Sequence, residues 1–338
     1  MTNRRDKQNS AAEKANPVSA VTIAGVRFGN PVIAASGTFG YGSEYADLLD
    51  VSRLGGICTK GLTLNPRSGN SGRRIHETPS GLMNSIGLEN PGIAAFIEKE
   101  LPRLRNLGPA IIVNLSGSSV DEYTDGARLL DETSVDMIEL NISCPNVKAG
   151  GMMFGLNPDA AALVTGAVRG ALRHKPLMVK LSPNAPDIAA VARACVSAGA
   201  DALSLVNTFK AMAIDIRTGK PVFDNISAGL SGPAIRPIAL RMVWELWEAL
   251  RTPAGKAPAR PVPIVGAGGI AGAEDALEFL MAGAEAVQTG SATFVHPQTM
   301  IEIIDGIEDY MTQHGLSNPG QLSTRKAAFQ GSVKTAGT

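Results

Sequence analysis

The chain has 338 residues, 44% of them hydrophobic and only 4% aromatic, which is enough apolar material for a large core of tightly packed helices on strands. Basic and acidic side chains balance at 31 each, so no overall charge recommends a polyanion such as nucleic acid as the main partner. Cys58, Cys144, Cys195 and four scattered histidines are too few and too widely spaced for a disulfide framework, an iron–sulfur site or a zinc site, and no metal is expected.

Residues 1–18 are polar and charged, lack the apolar centre of a secretory signal, and read as a disordered tail. No apolar run approaches the roughly 20 residues needed to cross a bilayer, so a soluble, cytoplasmic protein is expected. Next, VTIAGVRFGNP places apolar and small residues around Gly25 and Gly29, which predicts a short hairpin ahead of the main fold, plugging one end of it. From Pro31 onward eight short apolar runs follow: PVIAAS, GGICTK, AIIVN, DMIELN, LMVKL, DALSLVN, PIVGAG and AVQTG. Helical spacing of apolar residues fills 91–106, 121–132, 158–173, 187–198, 233–250 and 273–282, and several of these stretches open on a capping Pro, Asp or Asn.

Strand alternating with helix eight times predicts an α/β fold, a (β/α)8 TIM barrel with a short N-terminal hairpin and long loops on the C-terminal face. A single domain over 19–315 and a carboxyl tail over 316–338 are expected. The competing doubly wound sheet rests on GAGG at 266–269, an incomplete dinucleotide fingerprint that comes too late in the chain. Three long connections, 62–90, 144–157 and 210–232, each follow a strand and so belong on the face where barrels keep their sites. The third contains MAIDIRTGKPVFDN, which reads as a small hairpin standing over that face.

Each apolar run ends in polar or glycine residues: Ser36; Lys60 and Gly61; Asn114; Asn141; Lys180; Asn207 and Thr208; Gly268 and Gly269; Gly290 and Ser291. An apolar barrel has no structural need for lysines and amides at its strand tops, because burying them unpaired is unfavourable. A polar, partly anionic ligand satisfies them. The two late glycine pairs suit a phosphate, and Lys180 suits the electron-accepting edge of a flavin ring, so FMN is the expected cofactor.

The motifs ASGTFGYGSEY, TKGLTLNPRSGN, NSIGLENPG, ELNISCPNVKAGG, VKLSPN, LVNT, GLSGPAIRPIALR, GAGGI and QTGSATF, taken together, resemble the class 1 dihydroorotate dehydrogenases, closest to the catalytic subunit of the NAD-linked, class 1B type. The resemblance runs from Val21 to about Tyr310. It implies oxidation of (S)-dihydroorotate to orotate in de novo pyrimidine (UMP) biosynthesis. Implied FMN contacts are Ser36, Lys60, Gly61, Asn114, Asn141, Lys180, Val206, Gly232, Gly268, Gly269, Gly290 and Ser291. Implied substrate contacts are Lys60, Asn84, Ser85, Ile86, Gly87, Leu88, Asn141, Asn146, Asn207 and Thr208. Ser85 stands where the family more usually has Ala, and Ser291 where Thr is frequent.

By the same resemblance Cys144 is the base, taking a proton from the carbon beside the carboxyl-bearing carbon while a hydride leaves the latter for flavin N5. Cys58 and Cys195 read as core thiols. The implied partner is an electron-transfer subunit carrying FAD and an iron–sulfur cluster, around a homodimer core within a heterotetramer. Alternatives are a fumarate-linked relative, a dihydropyrimidine dehydrogenase-like flavoenzyme and a non-catalytic FMN-binding scaffold. A tRNA dihydrouridine synthase is disfavoured by the balanced charge.

Overall fold

The computed structural model describes residues 19–143, 154–251 and 262–323. The tail expected at 1–18, most of the expected carboxyl tail, and both Cys144 and Asn146 lie outside these residues. Strands β1 (Val21–Ile23) and β2 (Val26–Phe28) form an antiparallel hairpin. The chain then enters the barrel at β3 (Val32–Ala34) and β4 (Gly56–Cys58), leaves it for β5 (Ile75–Thr78) and β6 (Gly81–Asn84), and returns at β7 (Ala110–Leu115), β8 (Met137–Asn141), β9 (Leu177–Lys180) and β10 (Ala202–Leu205). A second excursion holds β11 (Phe209–Met212), β12 (Ile214–Asp215), β13 (Lys220–Pro221) and β14 (Ser227–Ser231) before β15 (Ile264–Ala267) and β16 (Ala286–Thr289) complete the circle.

The eight barrel strands fall on the eight apolar runs of the sequence. All pair in parallel with their neighbours in chain order, and β16 closes on β3 through Val287↔Val32 and Thr289↔Ala34. Helices follow the strands where helical spacing places them. Pro158–Ala171 starts behind Asn157, whose side chain accepts from the N–H groups of Asp159 and Ala160, and Ile188–Ser197 starts behind Asp187, which accepts from Ala190.

Side chains alternate along each barrel strand. In β8, Ile138 and Leu140 face outward into the layer shared with the helices, whereas Met137 joins a separate cluster within the barrel. That inner cluster takes one residue from each strand, Ile33, Cys58, Ile112, Met137, Met178, Ala202, Val265 and Ala286, and closes on Ile23 and Phe28 of the hairpin. The hairpin therefore plugs the end opposite the long loops. Gly56 makes the fit possible: a Cβ there would sit 2.8 Å from the Phe28 ring. Burying a side chain of this size contributes about 1.5–3 kcal/mol.

On the other face, two excursions meet. β6 pairs antiparallel with β14 (Leu230↔Met83), giving a four-stranded sheet in the order β11-β14-β6-β5, and β12 with β13 forms the small hairpin expected in the third connection. The joint sheet was not evident from the sequence. Nor was the packing of Leu322, fully buried against the core, which ties the first residues of the expected carboxyl tail to the barrel. No helix among the described residues is long and apolar enough to cross a membrane.

Candidate active site

A cavity opens at the carboxyl ends of the barrel strands, roofed by Ile75, Leu82, Asn84 and Ser231 of the four-stranded sheet. All twelve side chains or glycines expected at the cofactor line it: Ser36, Lys60, Gly61, Asn114, Asn141, Lys180, Val206, Gly232, Gly268, Gly269, Gly290 and Ser291. Of the residues expected at the substrate, Asn84, Ile86, Gly87, Leu88, Asn207 and Thr208 line it as well. Ser85 does not. Its side chain is buried behind the wall, where its hydroxyl accepts from Asn70 and Asn225, so it supports the 84–88 loop and is not presented to the cavity.

The polar side chains are tied into one network. Asn141 donates to the Asn114 carbonyl at 3.1 Å and accepts from the Ser143 hydroxyl at 3.0 Å and N–H at 3.2 Å. Asn207 donates to Ser143 at 2.8 Å, bringing the end of β10 against the end of β8. The Tyr123 hydroxyl donates to the Asn141 carbonyl from the helix Val120–Asp131 behind. Lys180 donates to Gln288 at 3.1 Å and to Ser36 at 3.4 Å, joining three strand tops around one ammonium.

Two residues of this network, Glu139 and Gln288, were missed by sequence reasoning. Glu139 is fully buried, and its carboxylate accepts from Asn114 at 2.6 Å, Ser204 at 2.7 Å, Gln288 at 2.8 Å and the Cys58 thiol at 3.2 Å, with the Lys180 ammonium 3.7 Å away. Burial pushes this carboxyl up, but Lys180 and the hydrogen bonds from Ser204, Gln288 and Asn114 outweigh it and hold the group below the usual carboxylate range. The signal that finds it is period two: in DMIELN the inward positions are Met137, Glu139 and Asn141, so a carboxylate must stand directly beneath the Asn of the strand top.

The second lysine sits differently. Lys60 is half-buried at the wall and its ammonium has no ion-pair partner among the described residues. Burial lowers its pKa from the ordinary lysine value, and Arg74 adds to that, against opposing pulls from Glu89 and Glu44. An anionic ligand would restore it. At the ends of β15 and β16 the rim is bare backbone: Gly268 and Gly269 have φ of 121° and 79°, and a Cβ on Gly269 would meet the Arg236 backbone at 2.8 Å. Cys58 and Cys195 are buried, and burial drives the Cys58 thiol well up and the Cys195 thiol to about 11, so both are inert core groups.

Residues 18–311 match the family model described as dihydroorotate dehydrogenase. Three relatives, each named as the catalytic subunit of dihydroorotate dehydrogenase B (NAD(+)), come from Petrotoga mobilis, Geotalea daltonii and Thermoanaerobacter pseudethanolicus. They are 57%, 52% and 49% identical to this chain, over 88%, 91% and 89% of it and 95%, 98% and 96% of the relative. Similarity of that extent, over a barrel whose strand tops gather the expected polar residues in one cavity, settles the family: the chain belongs to the dihydroorotate dehydrogenases.

Proposed function

We propose that this chain oxidises (S)-dihydroorotate to orotate in pyrimidine biosynthesis, as the cytoplasmic catalytic subunit of an NAD-linked enzyme. Membership of the family implies a flavin, and we assign it as FMN. The observation that carries the reading is the convergence of Lys60, Lys180 and three asparagines from different strands on one cavity at the carboxyl end of the barrel. This donor set fits FMN. Ammonium and amide groups match a ring edged with carbonyls and nitrogens, and the glycine rim at 268–269, next to Gly290 and Ser291 on the adjoining strand, leaves backbone open for a phosphate.

Bound there, FMN supplies the two-electron acceptor for the hydride that leaves the substrate. The chain's own residues do the rest. Lys60 and the amides of Asn84, Asn141 and Asn207, with Thr208 and the 86–88 backbone, hold the carboxylate and imide edges of the ring; Asn146 is assigned to the same set. The network through Ser143 fixes which face of Asn141 and Asn207 is donor and which acceptor, so the substrate meets oriented amides. Cys144, which directly follows Ser143 in the chain, takes the proton from the carbon beside the carboxyl-bearing carbon. Loss of that proton and of the hydride leaves the new double bond of orotate.

Electrons then pass to NAD through a partner subunit carrying FAD and an iron–sulfur cluster, in a heterotetramer around a homodimer of this chain. The curated relatives are named as subunits, and this sequence has neither cysteines spaced for a cluster nor a complete nicotinamide fingerprint.

The test is anaerobic addition of dihydroorotate to the FMN-loaded chain while the flavin absorbance is followed, beside a Cys144→Ala sample. Rapid bleaching in the wild type and a loss of at least about 100-fold in rate in the variant are expected, the range of a missing general base. An unbleached wild type overturns the substrate assignment. Full-rate reduction of NAD by the chain alone overturns the partner.

A further inference from the structure

We infer that Glu139, which does not line the cavity, is the positioning residue that fixes the charge and hydrogen-bond polarity of the cavity floor. The inference rests on the flavin reading above and deepens it.

A carboxylate can only accept hydrogen bonds, so every amide that touches it must turn its NH2 toward it. Gln288 does so at 2.8 Å, and its carbonyl is thereby left to take the Lys180 ammonium at 3.1 Å. Asn114 does so at 2.6 Å, leaving its carbonyl to accept from Asn141 at 3.1 Å. With its NH2 spent on Asn114, Asn141 in turn presents its carbonyl to Ser143. One buried group thus orients Asn114 and Gln288 directly and Asn141 through Asn114, in agreement with the Lys180 ammonium on the Gln288 carbonyl and the Ser143 N–H on the Asn141 carbonyl.

The same carboxylate also sets the charge. Lys180 and Glu139 lie 3.7 Å apart, with side chains 6% and 0% exposed, and a pair so shielded from water is close to neutral when viewed from the cavity. Lys180 therefore offers the cofactor a directed N–H donor with its positive charge largely offset. A barrel interior has no packing reason to bury an ion pair here, since a hydrophobic pair of like volume is as stable or more so. What a hydrophobic pair cannot supply is the fixed polarity of Asn114, Asn141 and Gln288.

The experiment measures the FMN midpoint potential of the loaded chain by anaerobic dye equilibration in wild type, Glu139→Gln, Glu139→Asp and Ser204→Ala. Glu139→Gln removes the offsetting charge and leaves Lys180 to favour the electron-rich reduced flavin, so the potential rises by at least about 30 mV, a tenfold shift for a two-electron couple. Glu139→Asp keeps the charge but withdraws it by one methylene, and moves the potential the same way by less. Ser204→Ala removes one donor to Glu139 without touching the charge and leaves the potential in place. Equal potentials in wild type and both Glu139 variants, with only thermal stability reduced, overturn the inference and leave Glu139 a structural residue. If Glu139→Gln does not fold, an unshifted Glu139→Asp overturns it alone. A wild-type chain that takes up no FMN overturns the flavin reading, and this inference with it.

Discussion

The Lys180 ammonium and the Glu139 carboxylate form an ion pair inside the barrel, each walled off from solvent and each also held by Gln288. Removing one charge strands the other, which is the costly event for such a pair. Lys180→Met is expected to lower unfolding stability by about 3–5 kcal/mol. The double variant Lys180→Met, Glu139→Gln should recover much of that loss, and urea unfolding of the four members of the cycle measures the coupling.

Two of the three thiols are core groups. Cys58 and Cys195 are inaccessible and their pKa values are raised, whereas the proposed base Cys144 must reach substrate. Iodoacetamide at pH 8 should therefore label the native chain once, at Cys144, and the unfolded chain three times. Mass spectrometry of the labelled peptides checks it, with no native label expected in Cys144→Ala.

Asp131 ties the helix Val120–Asp131 to the connection that leads into β9, its carboxylate accepting from the N–H groups of Arg173, His174 and Lys175 at 2.8, 3.0 and 2.9 Å. Burial raises this carboxyl, but the three N–H donors prevail and hold its pKa below the ordinary Asp value. A depressed folded-state pKa stabilises the protein above the unfolded value of about 3.9, and that stabilisation is lost as pH falls through the folded one. Asp131→Asn should therefore cost about 1–3 kcal/mol at pH 7 and progressively less below about pH 4, read from denaturation midpoints across that range.

Phe28 fills the closed end of the barrel and is fully buried there. Phe28→Ala opens a cavity beneath the inner cluster and is expected to cost about 3–5 kcal/mol of unfolding stability by chemical denaturation. Because the cavity floor lies beyond that cluster, FMN affinity of the folded fraction should change little, as fluorescence titration would show.

Gly269 tests the rim. Its φ of 79°, with the Arg236 backbone 2.8 Å from where a Cβ would stand, leaves no room for a methyl group. Gly269→Ala is expected to lose about 1 kcal/mol or more and to release FMN, measured as flavin retained through gel filtration.

The barrel was legible in the sequence because each strand is a continuous apolar run bounded by polar tops, and parallel strands covered on both faces must read that way. Lys60, Asn114, Asn141, Lys180 and Asn207 were legible for the same reason, each standing where such a run stops. Glu139 and Gln288 lie inside runs, one period below the tops, and reading runs as units hides what alternation within them places in the interior. The roof sheet was hidden by distance: IHET and GLMN have no alternation of their own, and β6 finds its partner β14 only after the barrel brings together segments some 145 residues apart. Ser85 stands in the sequence among the cavity residues of the 84–88 loop, and nothing in the chain marks that its hydroxyl is taken up by Asn70 and Asn225.

The plug at the amino end has a consequence for traffic. With Ile23 and Phe28 sealing one end, the cavity among the described residues opens toward the other, beneath and beside the roof. Substrate and product of the proposed reaction then come and go on the face that carries the roof sheet, and none through the plugged end.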